Sequence, residues 1–113
     1  MKIEKFHIYT ADLSPRLGTE PGKIRPVVVI QTDLLNNIHP STMICPLTTK
    51  VRVESTILRL HIKKEECGLA HDSDILLDQI RAVDNRRLKA HLGELKPNQK
   101  KKVIANLKIL ILE

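Results

Sequence analysis

Two short stretches of the sequence carry the side chains best suited to chemistry. The first is Glu20-Pro-Gly-Lys-Ile-Arg-Pro26. It contains a glycine, one carboxylate and two cations, and it is followed directly by an apolar run. The second, Leu76-Leu-Asp-Gln-Ile-Arg81, would as a strand place Asp78 on one face and Gln79 and Arg81 on the other, because side chains alternate along a strand. Polar residues beside apolar strands are common, so neither stretch alone specifies a reaction.

Several familiar catalytic motifs are absent from the sequence. It contains no Gly-x-x-x-x-Gly-Lys phosphate loop, no His-Glu-x-x-His zinc motif and no nucleophile elbow around a serine. His61, Cys67 and His71 lie close together in the chain, but their spacing fits no standard zinc pattern. We therefore expect no metal and no cofactor, and we expect Cys45 and Cys67 to be free thiols in a reducing compartment.

The composition restricts the kind of binding partner. The 113 residues carry a net formal charge of +6, which favours a polyanion such as nucleic acid or an acidic protein, although a soluble basic surface gives the same number. Phe6 and Tyr9 are the only aromatic residues. Two rings cannot form the sheet of aromatics on which some proteins stack RNA bases. An RNA ligand would have to be held by charge, amides and backbone groups.

The length and aliphatic content predict one folded domain spanning residues 1–113. No apolar run approaches the roughly 20 residues that a membrane span needs, and we find no signal peptide. We therefore expect a cytoplasmic protein.

The elements that must position these side chains are mostly short strands. Loops are expected at residues 14–23 and 33–41, and the first is long enough to be functional. Pro46 cannot donate a ladder hydrogen bond, which predicts an edge or a bulge at that residue. Strands are expected at residues 7–13, 26–30, 42–48, 56–62 and 88–95, and residues 74–84 hold one strand or two with a bend.

The helical segments are fewer. Residues 84–88 look like a capped short helical turn. Pro97 suits a first helical position, and apolar residues spaced by 3, 4 and 7 predict an amphipathic helix from about 97 to 112. Many short strands before one terminal helix favour a small bent sheet or barrel over an alternating βαβ sheet. Lys100, Lys101 and Lys102 are expected on the solvated face of that helix.

Six blocks of residues, spread over nearly the whole chain, match a known pattern in the same order. They are Ile8-Tyr9-x-Ala11-Asp12-Leu13-Ser14-Pro15, Gly18-x-Glu20-x-Gly22-x-x-Arg25-Pro26-Val27, Ile30-Gln31-x-Asp33, Pro46-Leu47-Thr48-Thr49, Asp72-Ser73 and Leu76-Leu77-Asp78-Gln79-Ile80-Arg81-x-x-Asp84-x-x-Arg87-Leu88. Together they make the chain similar to the MazF/PemK toxins, the RNA-cleaving half of bacterial toxin–antitoxin pairs, which share a fold with the CcdB gyrase poisons.

The resemblance implies a mainly β (α+β) fold, namely an SH3-like, partly open β-barrel with a short helix and a long C-terminal helix. It implies a homodimer that cleaves single-stranded RNA, often mRNA, at short sequence motifs and so inhibits translation and growth. The substrate's own 2′-hydroxyl would attack without a metal, leaving a 2′,3′-cyclic phosphate and a 5′-hydroxyl. It also implies an acidic antitoxin of the MazE type as partner, and no membrane.

The resemblance assigns roles to individual residues. The family's catalytic arginine falls on Arg25 and its partner threonine on Thr48. A guanidinium binds phosphate oxygens bidentately but loses its proton only above about pH 12, so Arg25 suits charge stabilisation, and also acid catalysis, better than base catalysis. Glu20 and Asp78 are candidate catalytic or orienting carboxylates, and the general base is left open. Candidate RNA-binding residues are Thr19, Gly22, Lys23, Thr49, Gln79 and Arg81.

Other interpretations of the same residues stay open at this point. A CcdB-like gyrase-binding toxin would share the fold and lack RNA cleavage, but it would need neither Arg25 nor Thr48. A plain basic RNA- or DNA-binding module rests on the net charge alone. The side chains of Asp78, Gln79 and Arg81 could equally be structural or belong to a dimer interface.

The sequence also departs from the family pattern in places. Phe6-His7 stand where relatives commonly have Gly-Asp, and residues 20–23 replace a Glu-Gln-Gly-Gly loop. Thr19 stands where some relatives use a catalytic histidine, and His39 is the only histidine expected nearby. Because the departures concentrate in residues 14–23 and 33–41, we expect these loops to determine which RNA motif is cut.

Overall fold

The structure, a computed structural model, describes residues 1–13 and 23–113. Short 3-10 turns cover Glu66–Gly68 and Asn85–Arg87, and a π turn at Lys108–Leu112 continues the helix that precedes it. The strands and the helix of this part of the chain are β1 (His7–Asp12), β2 (Ile24–Val29), β3 (Ser41–Thr48), β4 (Arg59–Ile62), β5 (Ser73–Leu76), β6 (Arg81–Asp84), β7 (Leu88–Glu94) and α1 (Pro97–Leu107).

The strands form one antiparallel sheet that bends around the core. Its order is β4-β5-β3-β2-β1-β7, and β6 pairs with β3 as well. The strand β3 changes partner along its length, since residues 41–44 pair with β6 and residues 47–48 pair with β5. Within the described residues β4 and β7 do not pair with each other, so the sheet stays open. This confirms the mainly β, partly open barrel with a long C-terminal helix.

Pro46 lies inside a central strand, which corrects the prediction of an edge or a bulge. On one side it is opposite Val27 of β2. On the other side the pairing with β6 ends at Ile44, and the pairing with β5 begins only at Leu47. A proline is tolerated here because the ladder on that side is interrupted at this residue.

Both faces of β2 are buried, as its continuous apolar run predicts. Val27, Val28 and Val29 are each 0% exposed. Burying one such side chain contributes roughly 1.5–3 kcal/mol, so these valines fix β2 firmly in the middle of the sheet. Val28 belongs to a cluster that includes Ile8, Leu47, Ile75, Leu95 and Val103 of α1, and Val27 and Val29 belong to a second cluster with Tyr9, Ala11, Leu13, Ile44 and Leu88.

The other predicted elements are confirmed with shifted ends. The predicted strands at 7–13, 26–30, 42–48 and 88–95 correspond to β1, β2, β3 and β7, whereas β4 begins only at Arg59. Asp84 caps the short turn by accepting a hydrogen bond from the Arg86 N–H at 2.8 Å. Pro97 occupies the start of α1, and the helix predicted to reach residue 112 is α1 followed by the π turn.

The stretch from Leu76 to Arg81 is two strand ends joined by a turn, so the predicted alternation of its side chains along one strand is wrong. The turn is closed by a hydrogen bond from the Gln79 N–H to the Leu76 oxygen at 3.1 Å. The strand breaks here because β5 and β6 pair with different halves of β3. Asp78 and Gln79 therefore lie in the turn, and both are exposed.

Candidate active site

Arg25 lies on β2, opposite Ala11 of β1, and its side chain is half-buried. Among the residues that the structure describes, its guanidinium has no hydrogen-bond acceptor and no ion-pair partner. A guanidinium carries five N–H donors in a planar fork. Because the fold uses none of them within the described part, the donors of Arg25 are available to a ligand.

The first of two hollows beside Arg25, here called the threonine hollow, has a volume of about 360 Å³. Its lining includes Lys23, Arg25, Thr48, Thr49 and Lys50. Thr48 is the last residue of β3, and its Oγ1 accepts a hydrogen bond from the Lys50 N–H at 3.2 Å. Because the oxygen acts as acceptor in that bond, the hydroxyl hydrogen of Thr48 can still be donated to a ligand.

The second hollow, here called the glutamine hollow, has a volume of about 400 Å³ and includes Lys23, Arg25, Gln79 and Arg81 in its lining. The Arg81 guanidinium makes a long hydrogen bond of 3.4 Å to the Leu13 oxygen. The side-chain amide of Gln79 forms no hydrogen bond with the described residues. Because Lys23 and Arg25 line both hollows, they lie between the two.

Asp78 lines neither of these hollows. It lines a third hollow of about 310 Å³ together with Arg52, Arg59 and Gln79. Burial, with the Asp78 charge added, raises the pKa of the nearby Cys45 thiol to about 12. The candidate carboxylate is thus a neighbour of the glutamine hollow, because Gln79 lines both that hollow and the third one.

The two hollows beside Arg25 are strongly cationic. Lys23, Arg25, Lys50 and Arg81 line them, and no carboxylate of the described residues does. Cations gathered in a concave surface focus the field and raise the local concentration of anions. The arrangement is therefore suited to a phosphate-bearing chain.

The remaining candidates are not placed at these hollows. Thr19, Glu20 and Gly22, and almost all of the 14–23 loop, lie outside the described residues. His39 contacts Ser41 of its own loop, Nδ1 to Oγ at 3.1 Å, and it lines neither hollow.

Two residues at or near these hollows were not singled out in the sequence. Lys50 follows Thr48 and Thr49 directly, so its place in the threonine hollow could have been predicted. Asp74 could not, because Arg59 and His61 reach its carboxylate only through the pairing of β4 with β5, and the Arg52 N–H reaches it from the segment before β4. Burial opposes its ionisation, but hydrogen bonds from the Arg52 N–H, Arg59 and His61 outweigh that effect and lower the pKa of Asp74.

The residues considered for metal binding have other contacts. The described residues contain no group of three or more histidine, cysteine, aspartate or glutamate side chains arranged to hold a metal. His61 Nδ1 lies 3.2 Å from Asp74 Oδ1, and the Cys67 thiol donates to Gln99 Oε1 at 3.2 Å. Cys45 and Cys67 are both free thiols.

These features define a class of protein: a small, partly open antiparallel barrel, with a terminal helix packed on its core and a cationic site at its strand ends. The family model of the PemK-like, MazF-like toxins of type II toxin–antitoxin systems matches residues 4–111. The chain belongs to that family. The match confirms the resemblance found in the sequence, and it does not support the CcdB-like alternative.

Individual relatives agree with this assignment. The chain is 35% identical over 109 residues to the endoribonuclease EndoA of Bacillus subtilis (strain 168), an alignment that covers 96% of this chain and 94% of EndoA. The fold is similar to that of crystalline MazF from Deinococcus radiodurans, with a TM-score of 0.78 at 22% identity over 100% of this chain and 99% of that one.

Two solved complexes contain the same fold. A MazE–MazF complex from Deinococcus radiodurans gives a TM-score of 0.79 at 22% identity, covering 98% of this chain and 96% of that one. A mycobacterial endoribonuclease in complex with its cognate antitoxin gives 0.76 at 18% identity, covering 93% and 90%. Separately, no helix in the described part of this chain is long and apolar enough to cross a membrane.

Proposed function

We propose that this toxin is an endoribonuclease that cuts single-stranded RNA, mRNA in particular, and thereby inhibits translation and growth. The observation that carries the proposal is Arg25, whose guanidinium has no partner among the described residues and lies between two hollows lined by cations. The relative EndoA, which shares 35% of its residues with this chain, is named as an endoribonuclease.

In the proposed reaction the substrate's 2′-hydroxyl gives its proton to a general base while its oxygen attacks the adjacent phosphorus. The bond from phosphorus to the 5′-oxygen breaks, and the leaving 5′-oxygen takes up a proton. The products are a 2′,3′-cyclic phosphate and a 5′-hydroxyl, and no metal ion takes part. Negative charge develops on the phosphorane oxygens, and the fork of Arg25 stabilises it through two parallel charge-assisted hydrogen bonds. The same guanidinium can donate a hydrogen bond to the leaving 5′-oxygen.

Thr48 has a positioning role in this proposal. Its oxygen accepts the Lys50 N–H, which fixes the direction of the hydroxyl at the end of β3. The hydroxyl hydrogen then donates to a phosphate oxygen that Arg25 also binds. Both residues line the threonine hollow, so one phosphate can contact both side chains.

The flanking nucleotides would be held by the other lining residues. Lys23 and Arg81 bind neighbouring phosphates, and Thr49 and Gln79 offer hydrogen bonds to base edges or riboses. Asp78, in the third hollow, is proposed as an orienting group. The roles of Thr19, Glu20 and Gly22 stay predictions from the family resemblance.

We further propose a cytoplasmic homodimer that an acidic antitoxin neutralises. The solved relatives include MazE–MazF complexes and a mycobacterial endoribonuclease with its antitoxin. A net charge of +6 and hollows lined by cations would attract an acidic, extended segment to the surface that binds RNA.

Cleavage of a defined pool of single-stranded RNA in excess EDTA tests the reaction. We expect fragments with 5′-hydroxyl and 2′,3′-cyclic phosphate ends at a short recurring motif, and intact single-stranded DNA of the same sequence, since DNA lacks the attacking 2′-hydroxyl. Fragments with 5′-phosphate ends, or cleavage that stops in EDTA, would contradict the mechanism.

The assembly is tested separately. Light scattering at micromolar concentration should give the mass of a dimer. We also expect a small acidic protein to be encoded just upstream, and its co-expression to restore growth. A monomer at that concentration, or growth arrest that the acidic neighbour leaves unchanged, would contradict this part of the proposal.

A further inference from the structure

The carboxylate of Asp74 is a buried charge that the proposed reaction does not use. Its side chain is 1% exposed. It accepts hydrogen bonds from the Arg52 N–H at 2.8 Å and from Arg59 Nη1 at 3.1 Å, and His61 Nδ1 lies 3.2 Å away. A buried carboxylate stays ionised only where hydrogen-bond donors offset the loss of its hydration, so these contacts are part of the folded structure.

The two carboxylate oxygens of Asp74 face different parts of the chain. Oδ1 faces His61 on β4. Oδ2 accepts both the Arg52 N–H and the Arg59 guanidinium, and the same Arg59 nitrogen donates to the Lys50 oxygen at 2.8 Å. One oxygen and one guanidinium nitrogen thus hold two points of the backbone, at Lys50 and at Arg52.

These two points lie at the start of the loop that joins β3 to β4, residues 49–58. No residue of this loop is buried, so apolar packing does not fix its course. Its far end is held by Asn106 of α1, which donates to the Thr56 and Ile57 oxygens at 3.1 and 3.2 Å. Its near end carries Thr49 and Lys50 into the threonine hollow.

We propose that Asp74 is a positioning residue for the RNA site: with Arg59 as its partner, it fixes residues 49–52 so that Thr49 and Lys50 face the phosphate bound at Arg25. The effect on cleavage rests on the proposed function, whereas the effect on the loop does not. Arg25 lies on β2 and keeps its place when the loop is released, whereas the Thr48 hydroxyl, which accepts the Lys50 N–H, loses only part of its orientation because Thr48 itself belongs to β3. Loss of Asp74 should therefore weaken RNA binding more than it slows the chemistry.

The substitution Asp74→Asn tests this with little change in volume. Asparagine has one acceptor oxygen in place of two and carries no charge, so it loses the charge that strengthens the hydrogen bonds from the Arg52 N–H and the Arg59 guanidinium. We expect KM for an RNA oligonucleotide to rise about tenfold while kcat stays within threefold, the pattern of lost binding shared by ground and transition states. Hydrogen exchange of the Arg52 amide should become at least tenfold faster.

A merely structural role gives a different result. Partial unfolding would lower the apparent kcat by reducing the amount of active enzyme and would leave KM unchanged, so both constants are measured well below the melting temperature. Asp74→Asn with wild-type KM and wild-type exchange at Arg52 would overturn the proposal. If wild-type protein cleaves no RNA, the proposed function fails, and the exchange of the Arg52 amide still decides whether Asp74 fixes the loop.

Two further variants complete the design. His61→Gln removes the group facing Oδ1 and leaves both loop contacts of Oδ2, so KM should stay within twofold of wild type; a tenfold rise would overturn the division of roles. Arg59→Gln removes the hydrogen bond to the Lys50 oxygen while Asp74 keeps the Arg52 N–H. It should raise KM about fivefold. If Asp74→Asn fails to fold, this variant alone tests whether the Asp74–Arg59 pair fixes residues 49–52.

Discussion

Replacing Arg25 gives the sharpest test of the site, because the structure predicts a large effect on cleavage and almost none on folding. Charge-assisted hydrogen bonds contribute about 1.5–3 kcal/mol each, and a guanidinium makes two of them to one phosphate. Arg25 is only half-buried, so water competes and the lower limit applies. Arg25→Ala should therefore remove about 3 kcal/mol of transition-state stabilisation, a loss of about 150-fold in kcat/KM.

The same substitution should have little effect on the stability of the fold. Since the Arg25 guanidinium contacts no hydrogen-bond acceptor or ion-pair partner in the described part of the chain, Arg25→Ala breaks no such interaction there. The free energy of unfolding should change by less than about 0.5 kcal/mol, and the melting temperature by less than about 4 °C. Arg25→Lys keeps the charge and loses the fork, so we expect an intermediate loss of about tenfold.

The assay is the initial rate of cleavage of a fluorogenic single-stranded RNA oligonucleotide, with calorimetry on the same samples. Arg86→Ala is the matched control, because Arg86 is an exposed arginine that contacts Asp84 and lines neither hollow. The reasoning is refuted if Arg25→Ala cleaves within threefold of wild type, or if Arg86→Ala loses as much activity as Arg25→Ala does.

Three other predictions concern stability. The folded state lowers the pKa of Asp74, so the ionised carboxylate contributes to the free energy of unfolding. That contribution is complete above the pKa of the unfolded chain, near 3.8, and is lost as the pH falls through the pKa of the folded state. Urea titrations from about pH 5 to about pH 2 should therefore show a steeper loss of stability for wild type than for Asp74→Asn. Leu95 is 1% exposed, so Leu95→Ala should cost about 2–5 kcal/mol in the same titration at neutral pH, whereas Leu34→Ala, at an 84% exposed residue, should cost less than about 0.5. Gly93→Ala would place a Cβ 2.3 Å from the Cys67 oxygen and should cost at least about 1–3 kcal/mol in thermal unfolding; a wild-type melting temperature would contradict that close approach.

The parts of the fold that the sequence predicts well are those decided by local pattern. The apolar run at Val27–Val29 indicates a strand buried on both faces, and the spacing of apolar residues after Pro97 indicates a helix with one buried face. Both follow from side-chain periodicity, which a single segment contains. The structure also brings Arg25 and Thr48 to one hollow, although they are 23 positions apart, because β2 and β3 are neighbouring strands.

The parts that fail depend on contacts between distant segments. The alternation expected at Leu76–Arg81 breaks because β3 takes two different partners, and nothing within those six residues contains that information. Asp74 is similar, since its donors lie 13 to 22 positions away; Arg59 and His61 meet it through the pairing of β4 and β5, and Arg52 through the loop before β4. The sequence shows that Asp74 precedes an apolar run, but it does not show which donors bind the carboxylate.

The distribution of charge and of aromatic rings supports the proposal that the site binds RNA through its phosphates. Phe6 and Tyr9 are 8% and 0% exposed, so both rings of the protein are core residues and neither is available to stack on a base. Some basic side chains elsewhere have acidic neighbours, as Lys96 has Glu66 at 3.2 Å and Lys100 has Glu94 at 3.5 Å. Around Arg25 the described residues supply cations without a carboxylate. We therefore expect the cations that line these hollows to bind RNA phosphates, and amides, hydroxyls and backbone groups near the same hollows to select bases.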